Sequence, residues 1–156
     1  MFTLEKAPDH PFRILNLTDP QLSEEDWNGW RADLLRGTVD RLVRSVKPDL
    51  ITVTGDISYG GQFRAYRRFR DFIDGYGISW APVFGNHDNQ EGPKKTSLQA
   101  DILLDGKHVL FEKNAPSLGC GNYVINITEN GEPVFALFML DTHDRDDFTE
   151  PDGTIS

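Results

Sequence analysis

One cysteine, Cys120, stands alone in a chain of 156 residues. No intrachain disulfide can form, which excludes a stapled secreted scaffold and a cysteine-built metal site. Between its two glycines, Gly119 and Gly121, Cys120 reads as a small core or turn residue. Long apolar runs are absent as well, with nothing near the roughly 20 residues of a membrane-spanning helix. The first eleven residues carry Glu5, Asp9 and two prolines and hold no apolar signal segment. Positive charge is scarce: 16 Lys and Arg face 25 Asp and Glu, for a formal charge of -9. Such a surface repels nucleic-acid backbones and anionic membranes, so neither is expected as a partner. An anionic substrate would need local positive charge, which bound cations can supply. These absences leave a soluble cytoplasmic protein as the expectation.

What is present has order. Apolar residues, glycine not counted, make up 38% of the chain, and they are well patterned. The length suits one domain with a sizeable core, expected over residues 1–156. Residues 12–17 read as a buried strand. From Leu35 the apolar positions Val39, Leu42, Val43 and Val46 fall on one helical face, with Arg36, Asp40, Arg41 and Arg44 mostly outside it. Lys47 and Pro48 stop that helix. A second strand follows at residues 49–53. A second helix carries Phe63, Tyr66, Phe69, Ile73 and Tyr76 on one face, and a third strand spans residues 80–84. This β-α-β-α-β alternation predicts a parallel sheet with right-handed crossovers. A short helix is expected at residues 98–104. Antiparallel strands are expected at 108–112, 123–128 and 134–140, with Asn130-Gly131 as the hairpin turn between the last two.

The chemistry concentrates at three strand ends: Leu17-Thr18-Asp19-Pro20-Gln21, Thr54-Gly55-Asp56-Ile57-Ser58-Tyr59 and Phe84-Gly85-Asn86-His87-Asp88. Ligands of open α/β sheets sit outside the carboxyl ends of the strands. Oxygen donors from three such ends, joined by one imidazole, suit Mn, Fe, Zn or Mg. Any one of Asp19, Asp56 or Asn86 is equally explained as a turn or helix-cap residue, and His87 alone as a capped loop histidine. It is their joint occurrence that points to a site. Gly55 and Gly85 permit the sharp turns and close backbone approach that a site requires.

Asp19-Pro20-Gln21, Gly55-Asp56 and Gly85-Asn86-His87-Asp88 resemble the first three motifs of the calcineurin-like metallophosphoesterases, D-x-H, G-D and G-N-H-D/E, with a helix between each pair. The resemblance covers roughly residues 12–145. Tyr59 is similar to the tyrosine of the G-D-x-x-Y motif of purple acid phosphatases, and that branch is the nearest in pattern. The family fold implied is a four-layer α/β/β/α sandwich, of which this chain would form the N-terminal β-α-β-α-β half followed by antiparallel strands. The chemistry implied is hydrolysis of a phosphoric monoester or diester by hydroxide held on two metal ions. Asp56 would bridge the ions, Asp19 and Gln21 would serve the first, and Asn86 the second. His87 would protonate or stabilise the leaving oxygen, held in position by Asp88. Tyr59 would be an iron ligand, or else a packed or stacking loop tyrosine.

Two departures shape the expectation. Gln21 stands where many members carry a histidine, which makes a weaker, neutral ligand. The two later histidine motifs should follow the strand at 134–140, where the sequence offers His143 and, further upstream, His108. The chain is therefore expected to be the N-terminal half of a longer protein or a natural truncation. Its hydrolysis would be weak, and its exposed apolar sheet would favour a homodimer or association with the missing C-terminal half. The competing readings are a non-catalytic metal- or phospho-ligand-binding module, and an acidic interaction domain using a Trp27/Trp30 loop.

Overall fold

The computed structural model describes residues 1–89, 93–114 and 120–142. The elements run β1 (Phe2–Glu5), β2 (Ile14–Leu17), α1 (Trp30–Val46), β3 (Leu50–Thr54), α2 (Phe63–Asp74), β4 (Trp80–Val83), α3 (Asn86–Asn89), α4 (Pro93–Leu104), β5 (Tyr123–Glu129) and β6 (Glu132–Met139). They form two three-stranded sheets, ordered β2-β3-β4 and β1-β5-β6.

The first sheet is parallel throughout, with Leu15 opposite Ile51 and Ile51 opposite Trp80. In its central strand β3, Leu50 to Val53 are all buried. A run apolar on both faces is what a parallel strand covered on both sides requires. The apolar face of α1 closes over the sheet with Val39 buried and Leu35, Leu42 and Val43 half-buried. Lys47 ends the helix in a left-handed conformation, φ 51°, and donates its N–H to the Val43 carbonyl. In α2, Tyr66, Phe69 and Ile73 are buried, as the spacing predicts, joined by Ala65, while Phe63 and the following Tyr76 are half-buried.

Three elements depart from the sequence reading. Residues 108–112 do not form an antiparallel strand: Val109 bridges Trp80 in parallel, extending the first sheet beside β4. The reason lies in Trp80, whose N–H bonds the His108 carbonyl at 3.0 Å and whose carbonyl accepts the Leu110 N–H at 2.7 Å. Second, α4 starts five residues earlier than the expected position 98, since proline is well suited to the first helical turn. Third, β1 is an addition. Four residues are too short for a periodic signal, and the partner of this strand is β5, to which it pairs in parallel from Phe2–Ile125 to Glu5–Thr128. The hairpin β5-β6 turns at Asn130-Gly131 as expected, both residues at positive φ (55° and 79°).

An aromatic chain joins the sheets. Phe111 meets Phe84 at 5.6 Å and Tyr123 at 5.8 Å between ring centroids, and Phe2 meets Tyr123 at 5.7 Å. Tyr123 also donates its hydroxyl to the Pro82 carbonyl of β4. Among the described residues strand β6 lies at the edge of its sheet, and an apolar row faces outward along it and just past its end: Val134, Phe138 and Leu140 are all exposed, Phe138 to 69%. Among the described residues no helix is long and apolar enough to cross a membrane.

Candidate active site

The loops after β2, β3 and β4 meet at the carboxyl edge of the parallel sheet. The first two are tied through the backbone: Asp19 N–H donates to the Gly55 carbonyl at 3.3 Å and Gln21 N–H to the Asp56 carbonyl at 2.9 Å. The second and third touch through their glycines. A Cβ on Gly55 would lie 2.9 Å from Gly85 Cα, and one on Gly85 would lie 2.2 Å from Asp56 Oδ1. Each loop can approach the other only because both residues lack a side chain.

Asp19, Gln21 and Asp56 all take left-handed backbone conformations, with φ of 52°, 44° and 51°. Asp tolerates this region better than most residues, but Gln has no such excuse. Backbone held in sparsely populated regions costs about 1–3 kcal/mol per residue and clusters at functional sites. Three residues marked by sequence as metal ligands are thus among the non-glycine residues at positive φ, alongside Asp9, Lys47 and Asn130.

Asp56 is the centre. Its side chain is buried; one oxygen accepts the backbone N–H of His87 at 3.1 Å and the other accepts the amide of Gln21 at 2.9 Å. His87 Nε2 lies 4.0 Å from that second oxygen. Among the described residues no Lys or Arg pairs with Asp56. A buried carboxylate without a cation is costly, so the site fits a bound metal ion electrostatically. Its surroundings also fit chemically, since Asp19, Gln21 and Asn86 offer hard oxygen donors and His87 an imidazole. Among the described residues, however, no three His, Cys, Asp or Glu side chains gather as a metal-holding group. Among the described residues, the amides are therefore needed to complete any coordination.

Asp88 plays a part different from the one expected. It does not hydrogen-bond His87, whose Nδ1 is buried without a partner among the described residues. Its carboxylate instead clasps two loops, accepting Ile57 N–H at 3.1 Å, Ser58 N–H at 3.4 Å and Gly85 N–H at 2.9 Å, together with the Tyr66 hydroxyl. Burial pushes the Asp88 carboxyl up to about 6, although these hydrogen bonds pull it down. Burial, followed by the neighbouring Asp88 charge, holds the Tyr66 hydroxyl well above its ordinary value, so it remains the donor.

The other expected residues are placed as follows. Asn86 is exposed at the mouth of a groove of about 440 Å³ lined also by Thr54, Gly85, Phe138 and Leu140. Tyr59 is exposed, its ring 5.1 Å from the His87 ring. Asp19 is exposed and accepts the Thr18 hydroxyl. His108 sits beside β4, its N–H on Asp74. His143 lies outside the described residues. The Trp27/Trp30 loop separates into a buried Trp27 and a 71% exposed Trp30 that begins α1. Sequence reading missed Tyr66 and Asp141 as supports. Tyr66 was legible only as core, although a buried tyrosine hydroxyl demands a partner. Asp141, just after β6, accepts the Cys120 N–H at 2.9 Å and the Asn89 amide at 3.3 Å, tying the second sheet to the third loop.

A mixed α/β chain with two sheets, whose parallel strands end in Asp, Gly-Asp and Gly-Asn-His-Asp, has the arrangement of a phosphoesterase. The chain belongs to the calcineurin-like phosphoesterase family, whose model matches residues 12–153. Members of that family generally use a dinuclear metal centre. The chain is 27% identical over 126 residues to the cAMP/cGMP dual specificity phosphodiesterase of Mycobacterium tuberculosis, covering 67% of this chain and 40% of that protein. It is 30% identical to the protein named probable inactive purple acid phosphatase 28 of Arabidopsis thaliana, covering 68% of this chain and 32% of the other. It is 32% identical over 104 residues to the 3',5'-cyclic adenosine monophosphate phosphodiesterase of Pseudomonas aeruginosa, covering 62% and 38% respectively. The chain thus spans between about a third and two fifths of these relatives.

Proposed function

We propose that the chain carries part of a metal-dependent phosphoesterase site that hydrolyses a phosphoric monoester or diester. The observation that carries this is Asp56: a buried carboxylate at the meeting of three strand-end loops, without a cationic partner among the described residues, flanked by the Gln21 amide and the His87 imidazole. Asp56 would hold both metal ions, with Asp19 and Gln21 on one side and Asn86 on the other. When bound, the metal ions supply Lewis-acid activation of water and neutralise charge on the phosphoryl group. The residues of this chain do the rest. Asp56 keeps the His87 backbone in place through its N–H, and the glycine contact keeps the loops close enough to share one phosphate. His87, partly exposed at 26% of its side chain, presents an imidazole that can give a proton to the leaving oxygen. Turnover is expected to be weak, because the described residues supply two carboxylates and one imidazole at the site.

The test is hydrolysis of nitrophenyl phosphate mono- and diesters with Mn, Zn, Fe or Mg added singly. Turnover that a chelator abolishes, and that Asp56→Asn removes, supports the reading; turnover indifferent to chelator and to Asp56→Asn overturns it. The absence of a three-residue cluster among the described His, Cys, Asp and Glu side chains favours a second reading, a non-catalytic metal- or phospho-ligand-binding module. Calorimetric metal binding without any hydrolysis selects that one.

A further inference from the structure

Tyr59 keeps 59% of its surface exposed, yet the backbone that carries it is pinned from several sides. Asp88 holds the N–H groups of Ile57 and Ser58 just before it. The Ser58 hydroxyl accepts the Gln62 N–H at 3.3 Å. Lys95 donates to the Gly60 carbonyl at 3.0 Å, and the Gln99 amide donates to the Gly61 carbonyl at 3.0 Å. Gly60 and Gly61 both adopt left-handed φ, 65° and 59°, and a Cβ at Gly61 would stand 2.2 Å from Gln99 Nε2. So constrained a turn presenting an exposed aromatic ring is not explained by core packing.

What the ring touches is His87. The two ring centroids are 5.1 Å apart with planes inclined at 39°, within the range where aromatic pairs attract. A histidine's orientation is commonly set by a hydrogen bond at the nitrogen remote from the chemistry. Here Nδ1 is buried and has no such partner among the described residues. The tilt of the imidazole is left to its packing.

We propose that Tyr59 is a positioning residue whose ring, rather than its hydroxyl, fixes the orientation of His87. The line of support runs from the buried Asp88 carboxylate, through the turn at residues 57–61, to the Tyr59 ring and onto the imidazole. Asp88 therefore steadies His87 at one remove, which reconciles its place beside the histidine with the lack of a bond to it. The catalytic consequence rests on the proposed acid role of His87; the stacking itself does not.

The experiment compares Tyr59→Leu and Tyr59→Phe in two readouts. In metal-free protein labelled with carbon-13 histidine, the His87 ring resonance is assigned by its loss in His87→Gln. Tyr59→Leu should move that resonance downfield as the ring current disappears, and Tyr59→Phe should restore it. With metal and a nitrophenyl ester, Tyr59→Leu should lower kcat about tenfold at unchanged KM, and Tyr59→Phe should recover it. A His87 resonance unmoved in Tyr59→Leu overturns the proposal. So does a Phe variant as impaired as the Leu variant, or one that loses a tyrosinate-to-iron absorption band, since the hydroxyl would then be the ligand. If the unmutated protein hydrolyses no ester, the proposed function falls, and the resonance still decides where the Tyr59 ring lies.

Discussion

Replacing Asp88 with Asn changes one atom and should destabilise the whole molecule. The carboxylate is 1% exposed and faces only donors: three backbone N–H groups from two loops and the Tyr66 hydroxyl. An Asn keeps one acceptor and turns the other into an NH₂. With the amide in one sense, Gly85 N–H loses its acceptor; in the other, Ser58 N–H and the Tyr66 hydroxyl lose theirs and Ile57 N–H keeps only its 3.3 Å bond to the remaining oxygen. An unsatisfied buried donor costs roughly 1–3 kcal/mol, and the surviving bonds lose their charge assistance. A net cost of about 3 kcal/mol follows, which for a chain of this size lowers Tm by about 6–12 °C. Differential scanning calorimetry at pH 7.5 would measure it. Tyr66→Phe removes one donor and leaves the N–H partners in place, so its cost should stay near 1 kcal/mol. The double variant should cost less than the sum, since the two groups share a bond. If Asp88→Asn melts within about 2 °C of the unmutated protein, the carboxylate is not what ties the second loop to the third.

Gly85→Ala would drive a methyl group to 2.2 Å from Asp56 Oδ1; a loss of about 3 kcal/mol is expected in urea unfolding, together with loss of metal binding by calorimetry. Asp74 links the end of α2 to the Trp80 indole at 3.0 Å and to the Lys107 and His108 N–H groups. Burial works to raise its carboxyl, but these bonds outweigh that and hold it below its ordinary 3.8. Its stabilisation is then complete above pH 3.8 and lost as pH falls through the lower folded value. The stability gap between the unmutated protein and Asp74→Ala, about 2 kcal/mol at pH 7, should narrow only below pH 3.8. The outward apolar row of β6 should drive self-association; replacing Val134 and Phe138 with Lys should shift sedimentation toward the monomer, and an unchanged profile would clear β6 of that role.

The first sheet was legible because its strands and helices repeat local patterns: a buried run at 50–53, an apolar helical face from Leu35, breakers at Lys47-Pro48. The strand ends were legible because Gly-Asp and Gly-Asn-His-Asp combine turn chemistry with donor chemistry. Three things were not. Strand β1 owes its existence to pairing with β5, more than a hundred residues away, and four residues carry no period. Residues 108–112 read as an antiparallel strand, but they form only a single parallel bridge, Val109 to Trp80, because Trp80 draws them to β4. Asp88 read as the holder of His87 because the two are adjacent. Side chains of neighbouring residues diverge at the start of a helix, and the buried N–H groups of Ile57, Ser58 and Gly85 had the stronger claim on a carboxylate.

The left-handed Gln21 has a practical consequence. Its φ of 44° is one that glycine adopts freely, so Gln21→Gly should relieve about 1 kcal/mol of backbone strain and raise the melting temperature. A search for hardier variants by thermal selection would therefore be drawn to this position. It would be rewarded for deleting an amide that lies against Asp56. Selection for stability and selection for the site pull this residue in opposite directions, and libraries built on the chain should hold position 21 fixed.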